Sequence, residues 1–130
     1  MTHDDRIHIV IVDRHIMFRT GLRMLLETKP HIEVVGECGS SSDALKIVTR
    51  EGPNMVLLDL NLEAGDPFAL IDEFSDKTNV IVLTGEKDSN LHQKCLTLGA
   101  KGIVLKEDAS DVLFKAIEKV HCGELWYDLT

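Results

Sequence analysis

The stretch Met55-Val56-Leu57-Leu58-Asp59-Leu60-Asn61 decides the fold. Four apolar residues in a row run into a single carboxylate, with Gly52-Pro53 before them and a polar loop over 61–65 after them. A run of this kind bounded by turn signals is a strand buried on both faces, as in a parallel sheet. Asp59 then stands at the carboxyl end of that strand, where open α/β sheets put their ligands. Taken alone, Asp59 is as readily a turn or cap residue. The other strand ends settle the choice.

Working outward, Ile7-His8-Ile9-Val10-Ile11-Val12 is a β-branched run that also ends in an acid, Asp13-Arg14-His15. Phe18, Leu22, Leu25 and Leu26 then recur at helical spacing, and Pro30 closes that helix. Ile32-Glu33-Val34-Val35-Gly36 predicts a second strand, short and half polar, suited to a sheet edge. Ser40-Ser41-Ser42-Asp43 is a helix start, with Ala44, Ile47 and Val48 facing inward. Beyond Asp59, Asp66-Pro67 caps a third helix carrying Ile71 and Phe74. Val80-Ile81-Val82-Leu83 is a fourth strand, ending in Thr84-Gly85. A helix with Leu91, Cys95 and Leu98 leads to Gly99. Gly102-Ile103-Val104-Leu105 is a fifth strand, ending in Lys106. Asp108 is expected to cap the last helix, whose stripe is Leu113, Ala116, Ile117 and Val120. Glu124-Leu125-Trp126-Tyr127 is expected to trail away from the domain. Five alternations of strand and helix predict a doubly wound α/β fold, a five-stranded parallel sheet with helices on both faces.

Composition narrows the function. The 130 residues make one domain, expected over 1–122, with 123–130 as the start of a linker. The chain is 44% apolar and 28% charged, ordinary for a globular protein. Its net charge of -8 argues against direct binding of nucleic acid by this segment, because phosphate contacts need a basic face. No apolar run approaches the roughly 20 residues that cross a membrane, and no signal segment is visible at the start. A cytoplasmic location is the expectation. Cys38, Cys95 and Cys122 form neither a disulfide framework nor a Cys-x-x-Cys metal pattern.

Asp13, Asp59, Thr84 and Lys106 each follow a buried strand directly, and in a doubly wound sheet those ends gather on one edge. Two carboxylates, a hydroxyl and an ammonium fit phosphoryl transfer. Asp59 is the nucleophile and phosphoacceptor, while Thr84 and Lys106 hold the equatorial oxygens. A hard cation such as Mg²⁺ would take Asp13, Asp59 and a backbone carbonyl near Asn61. Thr84 as a plain strand residue and Lys106 as a solvated lysine are each ordinary readings. Four fitting residues at four strand ends outweigh them.

These residues bring a resemblance into view. Val10-Ile11-Val12-Asp13-Arg14-His15, Phe18-Arg19-Thr20-Gly21-Leu22, Val34-Val35-Gly36-Glu37, Leu57-Leu58-Asp59-Leu60-Asn61, Gly99-Ala100-Lys101-Gly102 and Leu105-Lys106 resemble a response regulator receiver domain of two-component signalling, most closely the NarL/FixJ (LuxR-type) subclass. The resemblance implies a flavodoxin-like sheet in order 2-1-3-4-5. It also implies phosphorylation of Asp59 by a sensor histidine kinase, and a change of partner affinity that regulates transcription. Gly123-Glu124-Leu125-Trp126 resembles the segment that leads, in this subclass, to a helix-turn-helix DNA-binding output domain. The module would be a signalling switch rather than an enzyme. Since the last helix needs its apolar stripe for the core, the isolated domain is expected to be mostly monomeric.

Four positions depart from the family pattern. Arg14 stands where the family has a second acid, its direct metal ligand. Ile103 replaces a switching aromatic, Leu62-Glu63-Ala64 replaces a Met-Pro-Gly-like loop, and Glu107 replaces the proline after the lysine. With Arg14 in the site, two carboxylates face two cations, and the formal charge that draws a divalent ion is cancelled. Its guanidinium is then expected to fork onto Asp13 and Asp59 and to weaken Mg²⁺ binding. That change motivates a second reading, a pseudo-receiver regulated by partner binding alone. A phosphatase of the haloacid dehalogenase type is disfavoured, since Asn61 stands where a general acid is needed. A flavin mononucleotide binder is disfavoured by a first loop without phosphate-cradling Gly, Ser and Thr.

Overall fold

The structure, a computed structural model, describes residues 5–127. The elements run β1 (Ile7–Val12), α1 (Ile16–Leu26), β2 (Ile32–Cys38), α2 (Ser41–Glu51), β3 (Met55–Leu58), α3 (Pro67–Phe74), β4 (Asn79–Thr84), α4 (Ser89–Thr97), β5 (Gly102–Leu105) and α5 (Ser110–His121). The strands form one parallel sheet in the order β2-β1-β3-β4-β5. Both the doubly wound class and the strand order expected from the sequence are present.

Strand alternation divides the core into two layers. Ile9, Ile11, Leu57, Ile81 and Val104 point to one face, where Leu22 and Leu26 of α1 and Leu113, Ala116 and Ile117 of α5 cover them. Val10, Val12, Val56, Leu58, Val80 and Val82 point to the other, against Ala44 and Val48, Leu70, Ile71 and Phe74, and Cys95. That places α2, α3 and α4 on the second face. The helices therefore change face between α1 and α2 and again between α4 and α5. The first change sets the carboxyl ends of β1 and β3 side by side as a switch point.

Local chemistry fixes the helix starts. Ser40 Oγ accepts from Asp43 N at 3.3 Å and Asp66 Oδ1 from Phe68 N at 2.9 Å. The β3–α3 loop is tied to the β2–α2 loop by Ser41 N to Ala64 O at 3.0 Å and Glu63 N to Gly39 O at 2.8 Å. Gly65 makes this approach possible: its φ is +98°, and a Cβ there would overlap the Ser41 side chain.

Three expectations are corrected. β2 is an edge strand but not a short one; it spans 7 residues, and a bulge at Val35 shifts its register on β1. Asp108 does not cap α5. Ala109 is the N-cap residue, and Asp108 Oδ2 instead accepts from Leu105 N at 3.0 Å, closing the turn after β5. The segment after α5 does not trail away either. The chain turns at Gly123, and Trp126 returns alongside β5, with Ile103 N to Trp126 O at 2.8 Å and Trp126 N to Lys101 O at 3.0 Å. Its ring is half-buried against the α5 side of the core. The expected domain end at Cys122 thus falls inside the packed structure, while 128–130 lie outside the described residues.

The returning segment covers the free edge of β5 and buries apolar surface, so it contributes to stability. Trp126→Ala is expected to cost about 2 kcal/mol, below the range for a fully buried Trp because the ring keeps some exposure. Urea unfolding followed by circular dichroism measures it. A loss under about 0.5 kcal/mol, the usual size for surface substitutions, would show that the segment is not part of the fold.

Candidate functional site

The strand ends hold the candidate residues in place by extending the ladder past each strand. Asp13 N donates to Cys38 O at 2.9 Å, Asp59 N to Val12 O at 2.8 Å, and Lys106 N to Thr84 O at 2.8 Å. Asp13, Asp59 and Thr84 are all buried, at 2%, 4% and 1% exposure, which is costly for two carboxylates without partners. The partner is Lys106. Its Nζ lies 2.7 Å from Asp13 Oδ2 and 3.1 Å from Asp59 Oδ2, so one ammonium bridges both acids. The ring of Phe18, on α1, lies 4.2 Å from the same Nζ and adds a cation–π contact.

One ammonium shared by two carboxylates leaves an excess negative charge, and the titration behaviour follows. Burial pushes Asp59 above the ordinary carboxylate range. The hydrogen bond and charge of Lys106 and the backbone N–H of Asn61 oppose that rise, and the like charge of Asp13 adds to it. Lys106 is lowered by burial, but its hydrogen bonds to Asp13 and Asp59 outweigh that, and its net shift is upward. The ammonium gains from two anions, while Asp59 gains from one cation and loses to one anion.

Arg14 is corrected by the structure. It is exposed on the bend after β1 and, among the described residues, forms no ion pair with Asp13 or Asp59. With carboxylates already bridged by Lys106 and water within reach, a guanidinium gains little by leaving solvent. The ground for a cancelled site charge disappears with it. Thr84 Oγ1 accepts from Glu86 N at 3.1 Å, which ties the hydroxyl into the β4–α4 turn and leaves its hydrogen to donate elsewhere. Asn61 contributes a backbone N–H to Asp59.

Two residues that the sequence reading left without a role bear on the site. Arg19 Nη1 donates to Asp13 O at 2.5 Å, while its Nε lies 3.3 Å from Glu37 Oε1, so α1 and β2 together fix the backbone at Asp13. His15 donates its backbone N–H to Asp13 Oδ1 at 2.8 Å and places Nδ1 3.2 Å from the same oxygen. Arg19 lies one turn into the helix that follows Asp13, which is the signal that could have flagged it.

A divalent ion fits here. Asp13, His15 and Asp59 each offer a ligand atom, all within 4.8 Å of one another, and the acids carry an uncancelled charge. Beside the site, a cavity of about 340 Å³ opens between α1 and α5, lined by Met17, Phe18, Leu22, Leu105, Lys106 and Leu113 among others. Met17 at its rim is exposed, and Ile16 and Met24 are further exposed apolar residues of α1.

Comparison with known proteins places this geometry. The response regulator receiver domain family matches residues 9–118. The Uncharacterized transcriptional regulatory protein YhcZ of Bacillus subtilis is 38% identical over 120 residues, covering 89% of this chain and 55% of that protein. The nitrate/nitrite response regulator protein NarL of Escherichia coli K12 is 27% identical, covering 96% and 59%. The isolated REC domain of RcsB from Salmonella enterica serovar Typhimurium, solved with the phosphomimetic BeF3⁻, superposes with a TM-score of 0.87 at 26% identity, covering 95% of this chain and 94% of that one. The chain spans little more than half the length of these two regulators. With the sheet order, the paired acids and the bridging lysine already in place, these similarities show that the chain belongs to the response regulator receiver domain family, in the NarL/LuxR-type group.

Proposed function

We propose that Asp59 accepts a phosphoryl group from a phosphohistidine of a sensor histidine kinase, and that the modified domain changes its affinity for an output partner. The observation that carries this is the Lys106 bridge between two buried carboxylates at the switch point. A carboxylate oxygen of Asp59 attacks phosphorus as the bond to the kinase imidazole breaks, giving an acyl phosphate and a free histidine. Lys106 transfers its contact from Asp59 Oδ2 to a phosphoryl oxygen while keeping Asp13. Thr84 donates its free hydroxyl hydrogen to another oxygen. A divalent ion held by Asp13, Asp59 and a carbonyl near Asn61 would neutralise phosphoryl charge during transfer.

The route outward starts at Thr84. Its oxygen holds Glu86 N, and Glu86 O is 2.7 Å from Nε2 of His92, a buried residue of α4. A Thr84 that turns toward a phosphoryl group pulls on this turn and on the helix behind it. Ile103, without a ring, leaves less to follow the motion than the family aromatic would. For the donor, the exposed Met17 at the α1–α5 cavity, with Ile16 and Met24 exposed elsewhere on α1, suits the apolar side of a kinase helix bundle. A helix-turn-helix output domain in the parent protein fits the length of the relatives. No described helix is long and apolar enough to cross a membrane, in keeping with the cytoplasmic site of action that we propose. Arg14 in solvent removes the main ground for a phosphorylation-independent module.

Acetyl phosphate with a divalent ion tests the proposal. Intact-mass spectrometry is expected to show one added phosphoryl group on the natural chain and none on Asp59→Asn. Lys106→Ala should be labelled at least tenfold more slowly. Equal labelling of Asp59→Asn would overturn the assignment.

Burial of an under-compensated charge also makes a stability prediction. Because the folded state raises the Asp59 pKa, the ionised carboxylate costs stability at pH 7, and that cost fades as pH falls through the raised folded value. Asp59→Asn is therefore expected to raise Tm at pH 7 by a few degrees, on the order of 1 kcal/mol. The gain should shrink toward pH 4, where the natural carboxyl takes up a proton. Thermal melts at both pH values check this; a gain that grows on acidification would contradict the assigned shift.

A further inference from the structure

We propose that His15 is a metal ligand, standing in for the acid that Arg14 displaced. The site then takes an imidazole-accepting first-row divalent ion in preference to Mg²⁺. The inference rests on the receiver reading only in taking Asp13 and Asp59 as the acids of the site. Three observations carry it.

The first is position. A ring nitrogen of His15 belongs to a set of three possible ligand atoms, with a carboxylate oxygen each from Asp13 and Asp59, all within 4.8 Å of one another. The 3.2 Å from Nδ1 to Asp13 Oδ1 matches two ligands that share one ion. Bonds of about 2.1 Å at tetrahedral to octahedral angles put ligand atoms roughly 3.0–3.4 Å apart. The backbone N–H of His15 on the same carboxylate fixes the approach of the ring. With no ion bound, the contact is an ordinary hydrogen bond from the ring N–H; with one bound, the ring proton moves to Nε2.

The second is compatibility with Lys106. The ammonium uses Oδ2 of Asp13, while the imidazole uses Oδ1. An ion on the Oδ1 side leaves the bridge from Lys106 to Asp13 in place. The side chain of His15 is 56% exposed, so the ligand is reachable from solvent, and Arg14 does not block it.

The third is chemistry. Mg²⁺ wants near-octahedral oxygen ligands and gives up water reluctantly, so its binding leans on negative charge. Here the family's extra acid is gone and Lys106 offsets one of the two that remain. A nitrogen ligand does little for Mg²⁺ but much for Co²⁺, Ni²⁺ or Zn²⁺, which rank higher in the Irving–Williams order and accept imidazole readily.

The test uses Co²⁺ and Mg²⁺ as probes in calorimetric titrations of the whole chain, of His15→Ala and of His15→Asn. The asparagine retains a hydrogen-bonding group but is a poor ligand. The expected result is that both variants lose Co²⁺ affinity by tenfold or more while Mg²⁺ affinity stays within about twofold. Proton spectra should show paramagnetic Co²⁺ moving the His15 ring signals before those of the other histidines. Unchanged Co²⁺ affinity in His15→Ala would overturn the proposal, as would full affinity in His15→Asn, which would reduce His15 to a hydrogen-bonding role. No Co²⁺ binding by the natural chain would overturn it too. Acetyl phosphate labelling of the same samples separates the two readings. Normal Asp59 labelling with His15-independent Co²⁺ binding sinks this inference alone, and His15-dependent binding without labelling sinks the phosphoacceptor alone.

Discussion

The Lys106 ammonium between Asp13 and Asp59 is the constraint on which the site depends. Two carboxylates brought together at the end of a sheet repel each other, and burial makes each of them costlier. One lysine, reaching from the end of β5 past the end of β3 to β1, offsets much of that cost. The arrangement works only because the sheet order places β3 between β1 and β4, with β5 outermost on that side. Removing the lysine would leave a buried pair of like charges, a loss of several kcal/mol by analogy with broken buried ion pairs. The fold and the chemistry thus share one interaction.

That interaction is also incomplete. Asp59 keeps a raised pKa because burial outweighs its share of a cation that also serves Asp13, and the like charge of Asp13 adds to the rise; the remaining negative charge is what can draw a divalent ion. A fully neutralised pair would be more stable and less reactive. Arg19 and Phe18 keep the arrangement from relaxing, one by holding the Asp13 carbonyl and the other by lying against the ammonium. α1 therefore contributes to the site from behind while leaving Ile16, Met17 and Met24 exposed to solvent.

Much of this was legible in the sequence. Runs such as Val80-Ile81-Val82-Leu83 carry a strand signal strong enough to place every polar strand end, and Asp13, Asp59 and Lys106 converge as the topology requires. Signals that depend on side-chain direction were not legible. Arg14 follows Asp13 directly, and linear proximity suggested a forked ion pair, yet the bend after β1 turns it to solvent while His15, one residue on, folds back. Asp108 looked like a cap by residue type alone, but its carboxylate found a nearer donor in Leu105 N. The return of Trp126 to β5 depends on a free sheet edge that no local pattern announces.

In the proposed transfer, Lys106 is a shared ammonium that must release Asp59 to hold the incoming group. A crystal structure with fluoroberyllate bound tests this most directly. The predicted result has beryllium on an Asp59 carboxylate oxygen, with Lys106 Nζ moved onto a fluoride and still paired with Asp13. Fluoroberyllate bound elsewhere, or Lys106 still spanning both carboxylates with Asp59 modified, would contradict it.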